Sequence, residues 1–212
     1  MDLRPASAHT EAVFLSTQSN VVHNTASFGQ KSLIDYACMT MFLTLVAIIQ
    51  SFAISLGVGS STLAITNFFV AIADGKIDET ERKMMGVVYV VLRVAMVLIL
   101  GTTVLLVGNT WATVGISGLS AFTWGQIIPL VVLYVNAVLM TAHLMPSTFG
   151  PALQAGSWYT LGTLSALAIL DMTGFTLMQF LLGYIAWLVL AVAIVNGLMA
   201  VLKARKTKST TA

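Results

Sequence analysis

The chain has 212 residues, of which 58% are hydrophobic and only 8% charged, with a mean hydropathy of +0.92. A soluble domain is about 25% charged, and a chain this poor in charge could not coat its own surface, so lipid replaces water around most of it. Water-soluble enzymes, nucleic-acid binders, disulfide-rich secreted scaffolds and disordered proteins are disfavoured as classes. The single cysteine, Cys38, has no intrachain disulfide partner and no zinc-site spacing.

Residues 1–31 are polar and mixed, with Asp2, Arg4, His9, Glu11, His23 and Lys31. No apolar signal-peptide core follows Met1, so this stretch reads as a cytoplasmic tail rather than a cleaved leader. Residues 32–202 read as the transmembrane domain, and 203–212 as a basic cytoplasmic tail.

Six apolar segments follow in order. The first runs from about Asp35 to Leu56 and is broken by Gly57-Val58-Gly59-Ser60-Ser61. The second, from about Ser61 to Ala73, is short against the roughly 20 residues a crossing takes; it is either a thin span or a re-entrant half-helix, and it stops at Asp74-Gly75. The third runs from about Asp78 to Val107, and Asp78 and Glu81 have capping-box spacing. Residues 109–125 read as a polar, glycine-rich loop anchored at the interface by Trp111 and Trp124. The fourth segment, about Gln126 to Met145, has Pro129 in its expected first turn, where a missing N–H is tolerated, and Pro146 as its stop. The fifth begins near Pro151 and ends near Asp171, where Asp171-Met172-Thr173-Gly174 reads as a tight turn. The sixth runs from about Phe175 to Leu202.

The expected fold is therefore all-α: a polytopic membrane bundle of six transmembrane helices with both termini cytoplasmic. That orientation puts Arg4, Lys31, Lys76, Arg82, Lys83, Lys203, Arg205, Lys206 and Lys208 inside, nine of the ten basic residues, in keeping with the positive-inside bias. A re-entrant second segment would move Arg4 and Lys31 outside.

The chemistry-bearing motifs are few. Asp74 to Glu81 resembles half of an EF-hand loop. With Gly75 as the turn glycine, Val70 and Ile72 stand where ligand oxygens are needed, so no calcium site is expected. His143 is the only histidine on an expected span, near its cytoplasmic end, which makes it the only cofactor-ligand candidate. Bis-histidine haem ligation is unavailable within one chain, while a His–Met pair stays open. No zinc spacing, di-metal carboxylate pair or nucleophile–base pair is readable, so no metal or cofactor is expected and an enzyme is the weaker reading. Ser51-x3-Ser55-x3-Gly59 and Gly162-x3-Ala166 are small-x3-small patterns, read as packing within the chain.

Arg93 carries the most information. A basic group at mid-span is costly unless paired or hydrated, and is a functional candidate by default. Counting 1.5 Å per residue puts its Cα about 13 Å below the cytoplasmic boundary, and Asn67, Asn136 and Asn196 roughly 10–14 Å deep on their own segments. Tyr159 and Thr160 reach a similar level. Asn67 and Asp74, like Asn136 and His143, are seven apart and share a helix face. The pattern suggests a polar seam of Arg93, Asn67, Asn136, Asn196, Asp74 and Tyr159 leading in from the cytoplasm. Two readings compete with a solute site: hydrogen-bonded helix glue and a cofactor pocket.

The stretch Leu56-Gly57-Val58-Gly59-Ser60-Ser61-Thr62, followed by Asn67-Phe68-Phe69, Asp74-Gly75-Lys76-Ile77 and Glu81, resembles a group of uncharacterised bacterial inner-membrane proteins with an LGVGxxT segment and an FF pair. Val135-Asn136-Ala137, Pro146 and Ser157-Trp158-Tyr159 are similar to that group's second half. The likeness covers about residues 45–200. It extends distantly to copper-resistance membrane proteins and small haem-binding bundles, which use helix histidines. Where such a histidine is expected before LGVG, this chain has Gln50-Ser51-Phe52.

These readings converge on a multi-pass protein of the bacterial inner membrane that binds or passes a small polar solute or ion at Arg93. An anion is favoured because no acidic residue shares its depth. The alternatives are a haem or redox subunit using His143, and a structural membrane subunit without transport. The expected partners are the lipid bilayer and the solute, with a homo-oligomer or membrane partner open and no nucleic acid.

Overall fold

The computed structural model describes the backbone of residues 7–74, 79–145 and 149–210. All regular structure among the described residues is helical: α1 (Ser7–Asp74), α2 (Glu79–Val114), α3 (Ala121–Thr141), α4 (Phe149–Ile169) and α5 (Leu177–Thr210), with one 3-10 turn, Ile116–Gly118, between α2 and α3. Asp35–Val70, Glu79–Val114, Ala121–Thr141 and Leu177–Leu202 are long and apolar enough to cross a bilayer. The described residues are therefore all-α, with four helices fit by length and composition to span a membrane.

Two compact units divide the chain, Met1–Leu45 and Val46–Ala212. In the first, helix α1 carries Thr40 and Thr44, whose hydroxyls bond back to the carbonyls of Tyr36 and Thr40 at 2.9 and 2.8 Å. The hydrophobic core lies in the second, where Ala53, Ile54, Leu92, Ala95, Ile99, Leu130, Leu133, Trp158 and Leu161 join α1, α2, α3 and α4.

The expected break at Gly57–Ser61 is not there. Helix α1 runs through it, so the first two apolar segments are one helix, and the described residues form five long helices where six were expected. Glycine costs a helix about 1 kcal/mol, but an opened backbone in lipid leaves several unsatisfied polar groups at greater cost. The local hydroxyls also join the helix: Ser60 donates to Leu56 O at 2.6 Å and Thr62 to Val58 O at 2.7 Å. Gly57 has a packing reason as well. A Cβ there would overlap the Trp158 ring of α4, at Cδ2, Cε3 and Cζ3.

The 109–125 loop shrinks to residues 115–120. Helix α2 continues to Val114, with Thr110 and Thr113 bonding back to Leu106 O and Thr110 O. Gly115 turns the chain at φ +72°, and Ser120 caps α3 by accepting from the Thr123 N–H at 3.2 Å. Pro129 consequently lies inside α3, not in its first turn, and is buried. A proline inside a helix removes one N–H and crowds the carbonyl four residues before it, here that of Gly125.

Helix α4 falls short of the hydropathy of a lipid-facing span, and protein encloses its first half. Residues 154–158 are buried in succession, which requires neighbours on every side. Close approach at both flanks depends on small residues: a Cβ on Gly162 would meet Val58 of α1 at 3.2 Å, and one on Gly156 would meet Leu188 of α5 at 2.8 Å. Gly162 thus packs within the chain as expected. Ser51, Ser55 and Gly59 do not; all three are exposed, and nothing lies within 4 Å of a Cβ built on Gly59. Helix α5 opens with a reciprocal cap in which Thr176 N–H donates to Gln179 Oε1 at 2.9 Å and Gln179 N–H to Thr176 Oγ1 at 3.3 Å.

Helices α3 and α4 end alike. His143 (φ 56°) and Asp171 (φ 54°) take the left-handed position after the last turn. Their N–H groups bond to Met140 O and Ala168 O, and the next N–H groups reach Leu139 O and Leu167 O, which is the Schellman pattern. Glycine fits that position without the strain a Cβ brings. His143→Gly is therefore expected to raise stability by up to about 1 kcal/mol, read from the thermal midpoint of the purified protein. A fall in the midpoint would mean that the imidazole makes a contact of its own.

A candidate site at Arg93

Toward the Asp74 end of α1, four helices leave a cavity of about 350 Å3. Helix α1 contributes Ser61, Ala64, Ile65 and Phe68, and α2 contributes Tyr89, Leu92, Arg93 and Met96. The remaining wall is Ala137, Met140 and Thr141 of α3 with Pro151 and Gln154 of α4. Tyr89, Arg93, Met140 and Thr141 are exposed, so the cavity opens at the bundle surface between α2 and α3.

Arg93 lines the opening and makes no hydrogen bond or ion pair among the described residues. The expected contacts with Asn67 and Asn136 are absent, and the side chain of Asp74 lies outside the described residues. Among the described residues no carboxylate lines the cavity. A guanidinium with five donors thus faces a hollow whose other polar groups are hydroxyls and one amide.

The expected polar seam divides. Asn136 is 2% exposed and faces α4, donating to Gly150 O at 2.9 Å and Gln154 Oε1 at 3.1 Å, behind the cavity wall. Gln154 in turn donates to Met96 Sδ at 3.7 Å. Tyr159 pairs with Thr62 at 2.7 Å and packs edge-on against Trp187, joining α1, α4 and α5. Asn67 is half-buried on α1 without lining the cavity, and Asn196 is exposed on α5. Depth counting placed these groups in one layer but not around the helix axes, and azimuth separates them.

Two side-chain atoms in the interior are left without partners, Asn136 Oδ1 and Trp158 Nε1. Gln50, where the resemblance suggested a histidine, is buried and donates to Thr103 Oγ1 at 3.1 Å, tying α1 to α2. Gln154 was missed in the sequence although it is an amide within an apolar helix; the criterion that selected Asn136 would have found it.

His143 is exposed at the end of α3, in the capping position described above. Among the described residues no three His, Cys, Asp or Glu side chains gather as metal ligands. The centre of the half EF-hand, residues 75–78 of the stretch Asp74 to Glu81, lies outside the described residues. A second hollow of about 390 Å3 lies between α4 and α5, walled by Phe175, Phe180, Tyr184 and Trp187. There Ser157 and Tyr184 share a hydrogen bond of 2.9 Å and Trp187 donates to Gly156 O at 3.0 Å. No family model, curated protein or solved structure matches the chain.

Proposed function

We propose that the chain is a multi-pass protein of the bacterial inner membrane that binds a small anionic group at Arg93. The observation that carries this reading is a guanidinium without a partner among the described residues, at the mouth of a four-helix cavity whose described lining holds no carboxylate. An arginine serving as helix glue spends its donors on neighbouring helices; among the described residues Arg93 spends none. Ser61, Tyr89 and Thr141 supply hydroxyls beside it. Arg93→Leu in the purified full chain should weaken binding of phosphate-headed or carboxylate-headed probes at least about tenfold, since a hydrogen bond to a charged group contributes about 1.5–3 kcal/mol. Arg93→Lys should keep part of the affinity. Equal affinity in Arg93→Leu overturns the reading.

The unbroken α1 bears on topology. One crossing in α1, followed by crossings in α2, α3, α4 and α5, makes five, so the N-terminus is external and the C-terminus cytoplasmic. Lys76, Arg82, Lys83, Lys203, Arg205, Lys206 and Lys208 remain inside, seven of the ten basic residues, which still follows the positive-inside bias. A reporter placed after Arg4 should read external and one after Lys208 cytoplasmic. Both reading cytoplasmic would restore six crossings.

A further inference from the structure

We infer that the occupant of the Arg93 cavity is an acyl lipid with an anionic headgroup, its phosphate at Arg93 and its chain against Phe68, Ile65 and Met140; this rests on the anion reading above. The cavity is two-sided. Its mouth carries Arg93 with Tyr89 and Thr141, and behind them the wall is predominantly apolar, formed by Ile65, Phe68, Leu92, Met96, Ala137 and Met140. A bare inorganic anion satisfies the first half and leaves the second in contact with nothing, whereas an amphiphile covers both.

The opening favours the same ligand. Arg93 sits 14 residues into α2 from Glu79, about 21 Å along the helix axis, within the apolar stretch Glu79–Val114. An exposed group at that position adjoins acyl chains and headgroups sooner than bulk water. Helical side chains lean toward the N-terminus of their helix, so the guanidinium reaches back along α2 toward its N-terminal turn, where Glu79, Glu81, Arg82 and Lys83 lie and Lys83 is paired with Glu79 at 2.9 Å. Arginine binds phosphate bidentately, and basic pockets between transmembrane helices are suited to anionic headgroups. The volume, about 350 Å3, falls at the small end of ligand pockets, roughly 300–1,000 Å3, enough for part of one chain rather than a whole lipid.

The test uses the full chain in phosphatidylcholine nanodiscs with and without phosphatidylglycerol. Lipid retained on release is read by native mass spectrometry, and the thermal midpoint is read in parallel with added inorganic phosphate. Phosphatidylglycerol should be retained over phosphatidylcholine at least about tenfold, inorganic phosphate should leave the midpoint unchanged, and Arg93→Leu should abolish the preference. Ala137→Leu fills the apolar part without touching Arg93 and should reduce retention; Ala64→Leu does the same from α1 should Ala137→Leu fail to fold. Arg93-dependent stabilisation by inorganic phosphate, indifferent to both leucine variants, would overturn the lipid assignment and leave the anion site standing. Retention that does not depend on Arg93, or no Arg93-dependent binding of either probe, would overturn both.

Discussion

Gly57→Ala should lower the stability of the protein by about 1–3 kcal/mol, the usual cost of forcing volume into a packed interior, and Gly57→Leu should cost more. The reason is a single contact. Trp158 is 0% exposed, and its six-membered ring lies over the Gly57 position so closely that even a methyl group overlaps three ring carbons. Neither helix can yield easily. Helix α4 is also held against α5 at Gly156 and against α1 at Gly162, so moving Trp158 away from α1 disturbs its other flank. A fall in thermal midpoint and partial unfolding are expected for Gly57→Ala. Gly57→Ala combined with Trp158→Leu should recover part of the loss, with a coupling of about 0.5–3 kcal/mol as residues in direct contact show. An unchanged midpoint in Gly57→Ala would mean that the ring swings aside freely, and the account of α1–α4 packing would fail.

That contact also shows where the sequence was readable and where it was not. Fold class and most helix positions follow from hydropathy, because lipid contact selects apolar residues locally. The Gly57-Val58-Gly59-Ser60-Ser61 stretch was misread because local propensity was allowed to decide. In water two glycines and two serines argue for a break; between helices in lipid the same small residues permit close approach. The distinction depends on Trp158, a hundred residues away, and no local window contains it. Pro129 was misplaced for a simpler reason: α3 begins at Ala121 and not near Gln126, so the proline lies about two turns inside it and not in the first turn.

At the site, the identity of Arg93 as the outlying residue was legible, and its surroundings were not. A count along a helix gives depth, and polar residues at equal depth suggest one layer. Which of them meet depends on the rotation of each helix, which amphipathic patterning normally supplies. Here the lipid-facing and protein-facing sides are both apolar, so the patterning that orients a soluble helix is missing. Asn136 turned out to face α4, Tyr159 to join α1, and Asn196 to lie exposed on α5. Met96, Met140 and Gln154, which do line the cavity, carry no charge and drew no notice.

Asn136→Leu should destabilise the protein by about 1–3 kcal/mol, whereas Arg93→Leu should leave stability nearly unchanged. The two substitutions separate structural bonding from ligand binding. Asn136 donates to two buried acceptors, Gly150 O and Gln154 Oε1, and removing it leaves Gln154 Oε1 without that donor; an unsatisfied buried group costs about 1–3 kcal/mol. Its own Oδ1 is already without a partner, so nothing is recovered there beyond that atom's desolvation. Arg93 is exposed and unbonded among the described residues, and leucine in lipid costs little. Replacing Asn136 and Gln154 together by leucine should be less damaging than the sum of the single changes, because paired polar groups exchanged for apolar ones come close to neutral. Thermal midpoints of the four proteins in one detergent decide it. If Arg93→Leu falls as far as Asn136→Leu, Arg93 is holding the helices together through contacts the bundle forms in lipid, and the assignment of its free donors to a ligand does not stand.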